Sequence, residues 1–373
     1  MMSQTNNFFN SRFDDATLMK LLIFEEYVKN WLPVFVTQKK VYIYIFDFFA
    51  GVGYDSKNNP GSPIRILDQI KSYRSIIYNT KNITKIKLFF NEYEKKNFKK
   101  LEINCNNYLK DNPLLNKITE IEYSNWKFED AFEQLKSRIG EYPSLVFMDQ
   151  FGVKYARYVN EFENFQETDF LTFISSSFLK RFVKTPEFKD SLNLTDEEIE
   201  RLINTPYKLI HEATLKFLKA RLTKDSSVRL YPFSLKKGKN IYGLIFGSKH
   251  ILAAEKFLKI VWKISSDNGS ANYDIYNDKE KREPNLFPEL VGKTTIESFQ
   301  EELEEKILNR EIETNKDAYY YTLEKGHIPK HAMDVLIKLK KQGKISYNSK
   351  YPLVTYDNVE KKGRIIKYEK IKN

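Results

Sequence analysis

Apolar and polar positions change their period several times along the chain, and each change marks an element. Between residues 15 and 37, Leu18, Leu21, Leu22, Tyr27, Trp31 and Leu32 recur near the 3.6-residue spacing of an amphipathic helix. Val41 to Phe46 is instead an unbroken β-branched and aromatic run, as in a strand buried on both faces. It ends in Asp47 and a Gly51-Val52-Gly53 turn. The alternation then predicts helices over 62–77, 93–110 and 128–139, and strands over 86–91, 118–123, 144–148 and 170–174. Strands and helices in that order predict an α/β fold, a parallel sheet with helices on both faces. Two later strands, 228–235 and 240–246, flank Lys236-Lys237-Gly238-Lys239 and read as an antiparallel hairpin added to the sheet. The charged, helical stretch 178–224 between them and the fifth strand is expected to form an insertion or lid.

The pattern weakens at 265–292, where Ser265-Ser266-Asp267-Asn268-Gly269-Ser270, a Lys/Glu-rich run, Pro284 and Pro288 predict a linker. Helices follow over 295–311, 316–324 and 329–341, then extended pieces at 344–347, 352–356 and 364–369. Three helices followed by a hairpin of 344–347 with 352–356 describe a winged-helix-like domain. The expected division is 1–264, an α/β domain; 265–292, a linker; and 293–373, the basic winged-helix-like domain.

Composition narrows the chemistry. The 373 residues contain one cysteine and four histidines, so a disulfide framework is ruled out and no metal site is expected. No apolar run reaches the roughly 18 to 20 residues of a membrane span, and the Asn-, Asp- and Phe-rich start lacks a signal-peptide layout. A soluble, cytoplasmic protein is the expectation. The net charge of +11 is concentrated: residues 326–373 carry twelve Lys or Arg against four Asp or Glu. Such a module suits phosphate, with Lys330, Lys338, Lys340, Lys341, Lys361, Lys362 and Arg364 as candidate nucleic-acid contacts and Tyr347 and Tyr351 packing on sugars. A basic protein-docking module and a lysine-rich coding bias are the alternatives.

The glycine turn fits two kinds of nucleotide pocket. A dinucleotide fingerprint needs a third Gly or Ala, here Ser56, and an acid about twenty residues on, where Tyr73 stands. The next strand instead closes in Asn91-Glu92, a carboxylate able to accept both ribose hydroxyls. Asp47, Phe49, Ala50, Gly51, Gly53 and Glu92 therefore favour an S-adenosylmethionine pocket, with Asn125 a further candidate for the adenine.

At the end of the fourth strand, Asp149-Gln150-Phe151-Gly152 stands where a methyl acceptor would lie. Asp149 could accept from an amino group and Phe151 stack on an extruded base; equally, Asp149 could cap the strand or touch the cofactor, and Phe151 be core. A cytosine C5 mechanism needs a thiolate in this loop, and Cys105 falls in the helix after the second strand, where a buried, inert thiol is expected. Ser175 to Ser177 lack the glycine frame of a hydrolase elbow. His327 and His331 are expected to be solvated or to touch phosphate.

Taken together, Ile45-Phe46-Asp47-Phe48-Phe49-Ala50-Gly51-Val52-Gly53, Gly61-Ser62-Pro63, Asn91-Glu92 and Asp149-Gln150-Phe151-Gly152 resemble the motifs of the three-Cys-motif partner proteins (TcmP). The likeness covers roughly residues 15–262 and the winged-helix-like tail, with Gln150 where the family has proline. It implies a Rossmann-like class I methyltransferase sheet, a bacterial or phage-linked setting and a partner carrying three cysteines. The expected function is an S-adenosylmethionine-dependent methyltransferase acting on or near nucleic acid. The alternative is a non-catalytic nucleotide-binding partner subunit that docks on DNA or protein through its basic tail.

Overall fold

A computed structural model describes residues 12–79, 84–150, 154–182, 184–185, 194–283 and 292–371. The chain divides into two compact units, 1–249 and 250–373.

In the first unit, helix α1 (Asp15–Thr37) is capped by Asp14, whose carboxylate accepts the Thr17 N–H. Strand β1 (Tyr42–Asp47) follows, then α2 (Ser62–Asn79), β2 (Lys85–Asn91), α3 (Lys95–Lys110), the short α4 (Pro113–Ile118) and β3 (Thr119–Ser124). Next come α5 (Phe128–Glu141), β4 (Ser144–Met148), a 3-10 segment (Ala156–Asn164) and β5 (Thr168–Ile174). Helices α6 (Ser176–Phe182), α7 (Asp196–Asn204) and α8 (Ile210–Ala220) precede the hairpin of β6 (Arg229–Lys237) and β7 (Asn240–Ser248). Of the expected lid, the described part is helical, and α8 packs on the hairpin.

The sheet runs β3-β2-β1-β4-β5-β7-β6. The first five strands are parallel, while β7 pairs antiparallel with both β5 and β6. This is the class I methyltransferase arrangement that the sequence predicted. The apolar strand runs are buried because helices cover both faces; Phe46, Phe90, Phe147 and Phe170, one from each of β1, β2, β4 and β5, are wholly enclosed. Phe24 of α1 stacks on Phe147 with ring centroids 4.1 Å apart, which fixes the first helix over β4.

The second unit begins with α9 (Ile251–Ile264), a helix that the sequence had grouped with the sheet. Its polar side chains turn toward the helices that follow: Trp262 Nε1 donates to the Gly326 carbonyl at 2.8 Å, and Glu255 accepts from the Tyr319 hydroxyl at 2.7 Å. After a short helix α10 (Asp278–Arg282) come α11 (Thr295–Leu308), α12 (Asn315–Glu324) and α13 (Pro329–Lys341), close to their predicted bounds. Thr294 and Thr314 begin α11 and α12 with capping boxes, closed by Glu297 and Asp317.

The expected hairpin of 344–347 with 352–356 does not form. Strand β8 (Ile345–Ser346) pairs instead with β9 (Glu369–Lys370), and 352–356 is irregular. Asn315 decides the matter: its amide donates to the Leu353 and Arg364 carbonyls and accepts the Ile366 N–H at 2.8 Å, so it holds both limbs of the loop from the start of α12. Pro284 and Pro288 of the expected linker lie outside the described residues. Among the described residues no helix is long and apolar enough to cross a membrane.

Candidate functional site

Strand register brings three carboxylates to one edge of the sheet. Asp47 is level with Phe90 on β2 and with Phe147 on β4. The acids that next leave the sheet are therefore Glu92 and Asp149, one strand to either side. Ligands of open α/β sheets bind at this carboxyl edge.

The turn after β1 is shaped by the protein's own hydrogen bonds. Gly51 and Gly53 have φ of 65° and 90°, in the left-handed region where a side chain is strained. Three consecutive N–H groups are held inside the protein: Phe49 by Asp47 Oδ1 at 3.1 Å, Ala50 by the Asn91 carbonyl at 2.9 Å, and Gly51 by Glu92 Oε2 at 3.0 Å. The Gly53 carbonyl accepts the Gly61 N–H at 2.7 Å, which returns the chain to the start of α2.

Two of the acids are buried, and burial sets their chemistry. Loss of solvation, with smaller repulsions from Asp149 and Glu92, pushes the Asp47 carboxyl up to about 7; the nearby Ser62 hydroxyl and the Phe49 N–H on Oδ1 work the other way. Asp47 Oδ2 is enclosed and has no hydrogen-bond partner. Such an oxygen is costly unless a donor or cation meets it. Burial also raises Glu92, against the N–H groups of Glu94 and Gly51 that stabilise its charge. Both of its oxygens face backbone donors, Oε1 taking the Glu94 N–H at 2.9 Å, and the Asn97 side chain also hydrogen-bonds the carboxylate.

The flanks are aromatic. Phe49 lies half-buried against Phe128, centroids 5.4 Å apart and nearly parallel. The amide of Asn125 donates to the Glu92 and Tyr93 carbonyls, so its N–H groups brace this loop. Asn91 ties the same corner together: its amide donates to Phe48 and Trp126 carbonyls and accepts the Trp126 N–H. Tyr93, next to Glu92 in the chain, and Trp126, whose backbone Asn91 holds, are both exposed. The sequence reading overlooked both, although each follows a residue that it selected.

At the end of β4 the Asp149 carboxylate is ion-paired with Lys20 of α1. The Lys20 ammonium also sits 4.5 Å from the centre of the Phe173 ring, and its side chain is 8% exposed. Sequence reasoning missed Lys20. The available signal was its place in the stripe Ala16, Lys20, Phe24, Tyr27, where a lysine interrupts the buried face of a helix. Gln150 is also buried: Oε1 accepts the Tyr155 N–H at 2.7 Å, so its amide fastens the 3-10 segment from within. Phe151 and Gly152 lie outside the described residues.

Asp55, likewise unforeseen, anchors the chain ahead of α1. Although burial opposes its charge, hydrogen bonds from the Asn59 side chain and the Phe13, Asn59 and Lys57 N–H groups bring its carboxyl down to about 2. The Phe13 N–H reaches it at 2.8 Å.

Other candidates resolve into structural roles. Cys105 is wholly buried, and burial pushes its thiol up to about 12. Ser176 meets the enclosed His211 at 3.0 Å from Nδ1, while His211 Nε2 lies 3.2 Å from the Leu244 carbonyl. Since a carbonyl only accepts, Nε2 carries the proton and Nδ1 accepts the serine O–H.

His327 and His331, expected at the surface, are buried in the second unit, their Nδ1 atoms 3.0 Å apart. Phe299 stacks on His327 and Trp262 packs against both rings, an apolar cage that the i, i+4 spacing could not reveal. Tyr347, expected to face a sugar, is buried edge-on against Tyr368. Tyr351 is exposed.

The basic candidates separate into two groups. Lys338 pairs with Glu304 at 3.1 Å, Lys340 donates to the Tyr347 and Ser349 carbonyls at 3.0 Å, and Lys362 pairs with Asp357. Lys330, Lys341, Lys361 and Arg364 are exposed and make no side-chain ion pair among the described residues.

Comparison with known proteins matches residues 276–352 to the GMT-like wHTH domain. No curated protein matches the sequence. Similar solved structures include a putative O-methyltransferase from Klebsiella pneumoniae, 12% identical, covering 63% of this chain and 90% of that one, with a TM-score of 0.30. Another is the O-methyltransferase TomG from Streptomyces achromogenes, involved in tomaymycin synthesis and solved in complex with SAM. It is 12% identical, covers 66% of this chain and 98% of that one, and has a TM-score of 0.31. The delta-N METTL16 MTase domain, 11% identical, covers 63% and 84% with a TM-score of 0.28. The winged helix-turn-helix match falls within the second unit.

Proposed function

We propose that the first unit binds S-adenosylmethionine at the carboxyl ends of β1, β2 and β4 and transfers its methyl group to an acceptor on or near nucleic acid. The observation that carries this reading is the enclosed, unpartnered Oδ2 of Asp47 beside a left-handed glycine turn. S-adenosylmethionine brings an ammonium and a sulfonium, and a cation is what such an oxygen lacks. Glu92 would accept the ribose hydroxyls, and Phe49, Tyr93 and Trp126 would offer apolar surface to the adenine. Bound, the cofactor supplies a methyl group on positively charged sulfur, open to attack by a lone pair. The protein's part would be to orient that lone pair and exclude water, with Asp149 accepting a hydrogen bond from the acceptor.

The basic tail of the second unit, residues 326–373, would contribute nucleic-acid affinity through its exposed cations, Lys330, Lys341, Lys361 and Arg364. Resemblance to the TcmP proteins supports a bacterial or phage-linked setting with a three-cysteine partner. Soluble, cytoplasmic residence is part of this proposal.

A second reading has a specific observation in its favour: Asp149 is already occupied by Lys20, and Gln150 replaces the family's proline. On that reading the protein is a non-catalytic nucleotide-binding subunit. Titration calorimetry with S-adenosylmethionine is the first test, and absence of binding would overturn the first reading. Binding without methyl transfer to DNA or RNA, in the presence of the co-purified partner, would favour the second.

A further inference from the structure

We propose that Lys20 is a positioning residue at the acceptor end of this site: its ammonium neutralises Asp149 until an acceptor displaces it, and so sets how strongly the site prefers a sulfonium to a thioether. The inference rests on the S-adenosylmethionine reading above and extends it to a residue of the first helix.

Three carboxylates, Asp47, Glu92 and Asp149, share one edge of the sheet, and the charges of Glu92 and Asp149 are both felt at Asp47. Lys20 supplies the ammonium that meets this group, at Asp149. While the pair is closed, Asp149 presents no net charge to a cationic ligand. Its Oδ2 is also not available to an acceptor N–H or O–H. Methyl transfer runs from a sulfonium to a neutral thioether, so the charge at Asp149 acts on the reactant and hardly on the product.

Opening the pair need not move the helix. Around Lys20, α1 is fastened by the Phe13 N–H on Asp55, the Phe24 ring on Phe147, and the Tyr27 hydroxyl on Asp169 at 2.7 Å. The lysine, by contrast, is a four-carbon stem whose rotamers can swing its ammonium off the carboxylate. The Phe173 ring, already under the ammonium, would hold part of its charge once it leaves. The exchange is a side-chain event on a fixed scaffold.

The test compares dissociation constants of S-adenosylmethionine and S-adenosylhomocysteine, measured by titration calorimetry in mildly alkaline buffer. Lys20→Met is expected to raise the preference for the sulfonium roughly three- to tenfold while leaving the thioether nearly unchanged. Asp149→Asn, which leaves the ammonium unpaired, is expected to shift the preference the opposite way. Lys20→Arg should keep the wild-type ratio, and Lys20→Met combined with Asp149→Asn should return toward it. Should Lys20→Met fail to fold, the sign of the Asp149→Asn effect still decides. An unchanged ratio in the single variants, with wild type binding both ligands, overturns the role of Lys20 alone. Failure of wild type to bind either ligand overturns the underlying cofactor reading instead.

Discussion

The Gly51 N–H donates to Glu92 Oε2 at 3.0 Å, so the acid that closes β2 also shapes the turn that closes β1. One side chain thus serves the fold and the ligand at once. Glu92→Ala is expected to lower stability by about 2 kcal/mol, because the Gly51 and Glu94 N–H groups lose their acceptor. It should also weaken S-adenosylmethionine binding at least about tenfold. Glu92→Gln should recover much of the stability and little of the binding, since a carboxamide keeps one acceptor but loses the charge. Urea unfolding and calorimetry separate the two effects.

Asp47 is expected to show the opposite trade. Its folded pKa, about 7, lies above the ordinary aspartate value of 3.8. The folded state then holds the proton more tightly, so the contribution of Asp47 is fully present below pH 3.8 and lost as pH rises through 7. Asp47→Asn should therefore stabilise the protein above neutral pH, by up to about 4 kcal/mol, while binding of the cationic cofactor falls. Wild-type affinity should itself decline as pH drops below 7. An asparagine variant no more stable than wild type in alkaline urea titrations would refute this account.

His211 governs acid sensitivity in the first unit. Burial brings its imidazole down to about 4 from 6.5. A histidine held neutral stabilises the fold above its unfolded pKa, and that contribution is lost as pH falls from 6.5 toward 4. The loss is about 3 kcal/mol. NMR titration should find the neutral Nε2–H tautomer at pH 6.5 and protonation only as pH approaches 4.

Cys105, pushed up to about 12 and wholly buried, should resist thiol reagents in the native protein. Labelling should appear only with unfolding, at a rate that follows urea concentration. Rapid native labelling would contradict its placement in α3.

In the basic module, exposed and internally engaged cations should behave differently. Charge reversal at Lys361 and Arg364 is expected to weaken duplex DNA binding and reduce its salt slope by about two, one for each lost phosphate contact. Lys340→Ala should instead lower the unfolding temperature of the second unit, because its ammonium bridges the Tyr347 and Ser349 carbonyls. DNA affinity that ignores salt would refute the electrostatic account.

The sheet was legible because its strands are long apolar runs closed by turn chemistry, and the glycine turn because Gly51 and Gly53 are where a left-handed backbone needs them. The second unit shows the limit. Residues 352–356 have strand-like composition, yet Asn315, about forty positions away, takes the Leu353 carbonyl and leaves β8 to pair with β9. His327 and His331 likewise looked solvated until Phe299 and Trp262 closed around them.

The sequence by itself determined the periodicities, the order of elements and the acids at the strand ends, since these follow from neighbours along the chain. Tertiary structure alone decided that Lys20 closes on Asp149, that Asp47 Oδ2 has no partner, and that Gln150 turns inward to the Tyr155 N–H. The physical reason is that burial and charge pairing depend on distances through space. The Lys20–Asp149 pair joins residues 129 positions apart, and no local pattern encodes such a contact.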